Sequence, residues 1–307
     1  MADFKIWMNG KLVPQAEAVL PVNTAAVFYA TNVFEGLRAY WNASDEELYA
    51  FRLHEHFLRF RESMKLMRFT IPYSDVDLYE AVREVLKGNE VREDVHMHMV
   101  AYVTGAGLDA TSPSGIYINP RRRPRVQEGA GLKACISSWV RTSDNAIPIR
   151  LKCGANYQNG RLATLQAKAD GYDTPILLNQ RGEIAEGTGA TFFMVRRGRL
   201  VTPPVTSDIL ESITRTTLIE EIGPNVLGMD VDVREIDRTE AYVADEAFLC
   251  GSGYEITPVV SIDRFPLGQG TVGPITQRLT RAYLDIVRGV DKRYPEWRTP
   301  TYRPVTV

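Results

Sequence analysis

The chain alternates helix-like and strand-like segments along its whole length, and this alternation sets the narrowest limit on its fold. From Leu53 to Met67 the apolar residues lie four or three positions apart, which predicts one buried face of a helix. Ser74 and Asp77 form a capping-box pattern at the start of another helix, and His96–Thr104 resembles a strand. The second half repeats the alternation, so we predict an α+β fold in both halves.

The length of 307 residues exceeds what one hydrophobic core usually serves, and it predicts two domains. A run of arginines and prolines, followed by glycines, is the best candidate for the boundary. We therefore expect a small N-terminal domain over 1–120, an interdomain linker over 121–130 and a large C-terminal domain over 131–307. A nucleic-acid contact is the alternative for the arginine run, but a solvated linker is favoured because no basic face extends it.

Composition excludes several classes of protein. The net charge of −2 gives no overall field that would attract nucleic acid or an anionic membrane. No apolar run is long enough to span a bilayer, and the N-terminus does not resemble a signal peptide. The three cysteines, Cys135, Cys153 and Cys250, are widely spread and form neither a disulfide framework nor a metal-binding pattern. We expect a cytoplasmic protein without metal, membrane or nucleic-acid partners.

Lys152 lies in a segment of small and apolar residues, with no charge between Arg150 and Arg161. Most lysines are solvated, but such surroundings can desolvate an amine and favour its neutral, nucleophilic form. Tyr157 follows five positions later, and Glu186 stands in a Glu-Gly-Thr-Gly segment. Core packing of the tyrosine and solvation of the acid are the plainer alternatives. Together the three suit an aldehyde cofactor held as a Schiff base, with its ring nitrogen paired to an acid.

Other segments could bind a phosphate group. Thr206–Arg215 places hydroxyls and backbone N–H groups at a helix start, although an ordinary N-cap is the commoner use of such residues. Phe248–Glu255 offers a further hydroxyl among flexible glycines. Arg59 follows Glu55 by one helical turn, and spacing alone predicts a surface ion pair between them.

Several motifs in a fixed order carry a family resemblance over nearly the whole chain. They are Val33–Tyr40, Glu55–Arg59, Ser137–Arg141, Lys152–Tyr157, Ala163–Asp173, Glu186–Gly189, Ser212–Arg215, Ala244–Glu246 and Glu255–Val259. With these motifs the chain resembles the branched-chain amino-acid aminotransferases, fold type IV enzymes that use pyridoxal 5′-phosphate (PLP). The resemblance implies a D-amino-acid-aminotransferase-like fold of two α/β domains, with PLP in the C-terminal one, and a homodimer whose pocket the second subunit completes.

The resemblance also implies a role for each matching residue. Lys152 would form the Schiff base and shuttle the proton, Tyr157 would bond the phenolic oxygen of PLP, and Glu186 would hold the pyridine nitrogen protonated. The expected phosphate ligands are Arg59, Ile213, Thr214 and Ser252, with Ile213 and Thr214 acting through backbone N–H groups. The expected substrate residues are Tyr29, Phe34, Gly36, Arg38, His96, His98, Gly253 and Tyr254.

The chain departs from the family pattern around the substrate. His96 and His98 stand where the family has Tyr-x-Arg, and they lie on one face of the predicted strand. They indicate either a wet strand face or an altered site for a carboxylate or a side chain. Tyr254 stands where the branched-chain enzymes have a small residue. The residues expected to bind the cofactor all match the family pattern. These departures therefore leave the identity of the substrate undecided but not the type of chemistry.

The resemblance implies an aminotransferase that moves an amino group from a branched-chain or other hydrophobic L-amino acid to 2-oxoglutarate or pyruvate. A D-amino-acid or (R)-selective amine aminotransferase is the first alternative, because these enzymes share the fold and differ in this pocket. A PLP lyase such as aminodeoxychorismate lyase is the alternative from another class. The long C-terminal half, which resembles the branched-chain enzymes, argues against the lyase.

Overall fold

The computed structural model describes residues 4–124 and 129–304 and divides the chain into two compact units. The first unit consists of Met1–Arg123, Leu151–Ala155 and Asp285–Val307, and the second of Pro124–Arg150 and Asn156–Leu284. Within the described residues, 151–155 and 285–304 thus belong with the N-terminal unit, whereas the sequence-based division assigned both segments to the C-terminal domain. The linker over 121–130 stays a prediction, since 125–128 lie outside the described residues.

Strands and helices alternate through both units. The strands are β1 (Ile6–Met8), β2 (Lys11–Val13), β3 (Asn32–Asn42), β4 (Glu47–Phe51), β5 (Val95–Val103), β6 (Ser114–Arg121), β7 (Leu132–Ile136), β8 (Thr174–Leu178), β9 (Ile184–Gly187), β10 (Ala190–Arg196), β11 (Arg199–Thr202), β12 (Val231–Val233), β13 (Glu246–Gly251), β14 (Glu255–Ile262), β15 (Phe265–Pro266) and β16 (Arg298–Pro300). The helices are α1 (Ala25–Phe28), α2 (Leu53–Leu66), α3 (Asp75–Lys87), α4 (Asn156–Ala169), α5 (Ile213–Thr217), α6 (Arg238–Tyr242) and α7 (Pro274–Val287). A π-helical stretch, Leu218–Val226, continues α5, and short 3-10 turns cover Gln15–Glu17, Val205–Ser207 and Pro295–Trp297. None of the helices in the described part of the chain is long and apolar enough to cross a bilayer.

The first unit is built on a seven-stranded sheet in the order β16-β4-β3-β5-β6-β1-β2, in which every neighbouring pair is antiparallel. The hairpin β1–β2 turns at Asn9 and Gly10, both of which have the positive φ angle that a tight turn of this kind requires. Helix α2 packs on β3, and α3 packs on β6 and β1. The sheet and these two helices enclose one apolar core.

Both predicted helices of the first unit form where the sequence pattern places them. Helix α2 buries four of the five predicted apolar positions, namely Leu53, Phe57, Phe60 and Met64. Helix α3 starts with the predicted capping box, in which the Ser74 hydroxyl accepts from the Asp77 N–H and the Asp77 carboxylate accepts from the Ser74 N–H. The two reciprocal bonds satisfy N–H groups that a helix start leaves unpaired.

The second unit contains a nine-stranded sheet in the order β12-β11-β10-β13-β14-β7-β8-β9, with β15 paired to β14. Because β9 also pairs with β10, the six strands from β10 through β9 close into a ring. The pairs β14–β7, β7–β8 and β11–β12 are parallel, and the others are antiparallel. An apolar core that includes Phe192, Met194 and Leu249 fills this unit. Both units combine helices with a sheet, which is antiparallel in the first unit and mixed in the second, and this confirms the predicted α+β class.

Candidate active site

Lys152 lies beside the start of strand β3 in the first unit. The neighbouring Cys153 forms an antiparallel bridge with Val33, and the Phe34 N–H donates to the Lys152 carbonyl at 2.9 Å. The Lys152 N–H in turn donates to Ser63 Oγ of α2 at 3.2 Å. The residue is only 9% exposed, and its Nζ lies 4.9 Å from the centroid of the Phe34 ring. Its backbone is therefore fixed on both sides, and its amine lies over an aromatic face.

Glu35, a fully buried carboxylate, lies on the face of β3 opposite to the Phe34 ring and binds two side chains there. It accepts hydrogen bonds from Arg59 Nε at 2.8 Å and from Arg59 Nη2 at 2.7 Å, and its Oε2 lies 2.7 Å from His56 Nδ1. Burial raises the pKa of Glu35, but the charge and hydrogen bonds of Arg59, with His56, outweigh it and bring the pKa to about 2. Burial lowers the pKa of His56 although Glu35 opposes it, so a neutral His56 donates from Nδ1.

This cluster overturns the expected pairing of Arg59 with Glu55. Glu55 instead accepts from Arg52 Nε at 2.7 Å, and Arg59 is buried rather than on the surface. Spacing along a helix identifies possible neighbours but does not show which face is covered by a sheet. Glu35 belonged to a motif of the family resemblance, yet no local pattern marked it as the partner of Arg59.

The predicted substrate residues of β3 and β5 meet on one face of the sheet. Gly36 pairs with His98 and Arg38 pairs with His96 across the two strands. The two histidine rings are 4.8 Å apart, and a Cβ added at Gly36 would lie 3.1 Å from His96 Nε2. A side chain at position 36 would therefore make a tight contact with the His96 ring, which would have to shift by a few tenths of an ångström. Tyr29, in contrast, ends α1 with 48% exposure, and its ring contacts Phe28.

His96 does not lie on a wet strand face, since it is only 4% exposed. Burial chiefly lowers its pKa to about 2, and the neighbouring His98 and arginines act in the same direction. Burial and Arg121 likewise lower the pKa of His98 to about 4. Both rings are therefore neutral near pH 7.

We expect the histidines to make the fold less stable as the pH falls from 7 to 5. The pKa of histidine in the unfolded chain is about 6.5, whereas folded His96 stays neutral. The unfolded chain therefore binds the extra proton, and the free energy of unfolding falls as the pH drops below about 6.5. At pH 5 His96 alone should lower the free energy of unfolding by about 2 kcal/mol. Urea unfolding at the two pH values should show a smaller drop for His96→Gln than for the unchanged protein. An exposed control, His54→Gln, should keep the full drop, and an equal drop in all three proteins would contradict this account.

Beside the histidines the first unit forms a polar cavity of about 440 Å³. The lining residues that carry polar or charged groups include His96, His98, Asn119, Arg121, Arg122 and Arg123. Among the described residues that line it, arginines supply all the formal charge, and none is an acid. Arg121 Nη1 lies 3.5 Å from His98 Nδ1, and Arg38 Nη2 donates to the Arg123 carbonyl at 3.4 Å. The predicted linker arginines thus begin at the end of β6 and contact this sheet.

In the second unit Glu186 lies on β9 and is 6% exposed. Its Oε1 accepts from Arg141 Nε at 2.9 Å, and its Oε2 accepts from the Leu210 N–H at 3.2 Å. The buried guanidinium and the backbone donor both stabilise the carboxylate as an anion. Arg141 was not among the predicted site residues, although its Ser137–Arg141 segment formed part of the resemblance.

The glycines after Glu186 allow close packing against the start of α4. A Cβ at Gly189 would lie 3.4 Å from Tyr157 Cε1, and one at Gly160 would lie 2.7 Å from a Thr188 methyl carbon. The Thr188 hydroxyl also donates to the Gly160 carbonyl at 3.3 Å. Tyr157, in the first turn of α4, is thereby brought against the turn that follows Glu186.

The remaining predicted residues of the second unit lie at two chain turns. Ser252, Gly253 and Tyr254 form the turn between β13 and β14, and Tyr254 packs partly against the apolar core. Ser212 is the N-cap of α5 and accepts from the Arg215 N–H at 3.3 Å, so the plainer N-cap interpretation holds for this hydroxyl. Ile213 and Thr214 occupy the first turn of α5, where backbone N–H groups have no partner within the helix.

Comparison with known proteins identifies the family. Residues 32–262 match the amino-transferase class IV family. The chain belongs to this family. A probable branched-chain-amino-acid aminotransferase of Aquifex aeolicus is 39% identical over 98% of this chain and 97% of the relative.

Two solved branched-chain aminotransferases are similar to this class IV aminotransferase along nearly its whole length. The enzyme of Thermobaculum terrenum in its PLP form has a TM-score of 0.91 at 41% identity and covers 99% of this chain and 100% of its own. The enzyme of the thermophilic archaeon Thermoproteus uzoniensis, solved with norvaline, has a TM-score of 0.91 at 38% identity, with 98% and 100% coverage. These findings confirm the predicted family, the fold type and a PLP-dependent transaminase.

Proposed function

We propose that this class IV aminotransferase transfers an amino group from a branched-chain or other hydrophobic L-amino acid to a 2-oxo acid. The observation that carries the proposal is the buried amine of Lys152, which is held by its backbone on both sides over the Phe34 ring. The names of the relatives support branched-chain substrates. The residues assigned to PLP have groups that fit it, because Lys152 is a buried amine, Glu186 a buried carboxylate and Arg59 a buried guanidinium.

Each residue of this set has a chemical partner on the cofactor. When bound, PLP supplies an aldehyde that condenses with amines and a ring that takes up the electron pair released at the substrate α-carbon. We assign the covalent bond to Lys152, the ring nitrogen to Glu186 and the phenolic oxygen to Tyr157. The phosphate is assigned to Arg59, Ser252 and the N–H groups of Ile213 and Thr214, since anions bind well at helix N-termini.

The side chains then divide the work of the reaction. The Lys152 amine takes the proton from the substrate α-carbon. It then donates this proton to the carbon on the cofactor side of the transferred nitrogen. Glu186, held as an anion by Arg141 and the Leu210 N–H, keeps a proton on the ring nitrogen and so stabilises the negative charge that develops. The Gly253 N–H is assigned to the substrate carboxylate.

A screen of half-reactions tests the donor. The visible absorption of the cofactor-loaded enzyme would be followed after addition of L-leucine, L-glutamate, D-alanine or (R)-1-phenylethylamine. We expect fast change with L-leucine and L-glutamate. Fast reaction with the chiral amine and none with L-leucine would reject the proposed donor. Without any added 2-oxo acid an aminotransferase stops after one equivalent of product per enzyme, because the transferred amine stays on the cofactor. Product in excess of one equivalent would instead indicate the lyase.

The arginine-lined cavity favours 2-oxoglutarate over pyruvate as acceptor, because only the former has a second carboxylate to place there. We expect Arg121→Gln to lower kcat/KM for 2-oxoglutarate about tenfold or more, the effect of one lost charge-assisted hydrogen bond, and to leave pyruvate unaffected. Steady-state kinetics with both acceptors would measure the ratio. Arg281→Gln, at an exposed position of α7, serves as control. An equal loss with both acceptors would exclude this role of the cavity.

We also propose a cytoplasmic homodimer. Several apolar side chains of the segment around α1 are exposed in the single chain, including Val19, Val22, Val27 and Phe28, and a second copy would cover them. The three buried free thiols suit a reducing compartment. Sedimentation at twice the mass of the 34.5 kDa chain is expected, and a monomer would reject the dimer.

A further inference from the structure

Glu35 is a fully buried carboxylate of the first unit, and the proposed mechanism gives it no role. Side chains alternate along β3, so Phe34 and Gly36 face one side of the sheet and Glu35 faces the other, toward α2. His56, Arg59 and Ser63 lie three and four positions apart and share one face of that helix. Glu35 therefore joins the central strand to this helix face.

The geometry of the contact restricts Arg59 strongly. The carboxylate receives both Nε and Nη2 of the guanidinium, with each oxygen taking one bond. Such a paired contact fixes the plane of the guanidinium as well as its position. His56 Nδ1 at 2.7 Å from the same carboxylate holds Glu35 in turn. All three residues are buried, so water does not replace a lost bond easily.

The same helix face also holds the reactive lysine. Ser63 Oγ accepts the Lys152 N–H, one turn along α2 from Arg59. The Phe34 N–H, adjacent to Glu35 on β3, donates to the Lys152 carbonyl. The segment Phe34–Glu35 thus contacts both the residue assigned to the phosphate and the residue assigned to the covalent bond.

We propose that Glu35 is a positioning residue that orients Arg59 for the phosphate group of the cofactor. The inference rests on the proposed assignment of Arg59 to that phosphate. Glu35 itself touches neither substrate nor cofactor and acts only through the guanidinium. Replacement of Glu35 should accordingly weaken the binding of ligands that carry a phosphate and leave the binding of ligands that lack one unchanged.

Titration of the full chain, freed of cofactor, with PLP and with pyridoxal tests the inference. We expect Glu35→Gln to weaken PLP binding about 10- to 100-fold and to leave pyridoxal binding unchanged. The range is the one found at metal sites when a residue that orients a ligand is replaced. Glu55→Gln, on the same helix but paired with Arg52, should change neither affinity. A purely structural role would weaken both ligands alike, and that result would overturn the inference.

A double-mutant cycle separates this inference from the proposed function. If Glu35 acts through Arg59, then Glu35→Gln should add little to the loss of PLP affinity already caused by Arg59→Gln. Fully additive losses would overturn the positioning role. Far-ultraviolet and near-ultraviolet circular dichroism of each variant would show whether the fold is kept, and His56→Gln provides a milder change to the same carboxylate. Failure of the unchanged protein to bind PLP at all would reject the proposed function instead.

Discussion

Replacement of Lys152 by alanine should abolish transamination and the visible absorption band of the lysine-bound cofactor. The residue is proposed both to bond the cofactor and to move the substrate proton, and loss of general acid–base catalysis alone lowers rates by up to about 10⁴-fold. The expected fall in kcat is therefore on the order of 10⁴ or more. Single-turnover kinetics with L-leucine and absorption spectra of the purified variant would measure both effects.

Two observations on the same samples make the Lys152 test decisive. Borohydride reduction of the loaded enzyme, followed by peptide mapping, should find the cofactor attached at Lys152. Lys168→Ala, at an exposed position near the end of α4, should retain full activity and the absorption band. Attachment at another lysine, or an active Lys152→Ala variant, would contradict the central assignment.

Replacement of Glu186 by glutamine should lower kcat by about 10²- to 10³-fold while PLP remains bound. The amide keeps the size of the side chain but carries no charge, so it cannot hold a proton on the ring nitrogen when negative charge develops. It also leaves the buried Arg141 without its carboxylate partner at 2.9 Å. Rates of proton removal, measured with α-deuterated L-leucine in single turnovers, should show that the slowed step is proton transfer.

A matched control limits other interpretations of the Glu186 result. Glu235→Gln changes an exposed glutamate that pairs with Arg181, and it should leave kcat unchanged. The measured melting temperature of Glu186→Gln would reveal any loss of stability caused by the unpaired Arg141. Unchanged kinetics in a folded Glu186→Gln variant would remove Glu186 from the mechanism.

Local sequence patterns were sufficient for much of the fold. The capping box at Ser74 and the apolar spacing from Leu53 depend on contacts within one or two helical turns, so they can be read without knowledge of the rest of the chain. The hairpin at Asn9 and Gly10 depends in the same way on the backbone freedom of two residues. The ring closed by the β9–β10 pairing, in contrast, follows from contacts among six strands, which no local pattern expresses.

The sequence by itself determined the chemistry of this protein, because Lys152, Tyr157 and Glu186 stand in motifs whose order is characteristic of one family. Only the tertiary structure decided the charged partners. Glu35 lies 24 residues from Arg59, and Arg141 lies 45 residues from Glu186, yet each pair is buried and in direct contact. In both cases burial removes water, and the lost hydration of each charge must be replaced by an opposite charge that the fold brings from a distant segment.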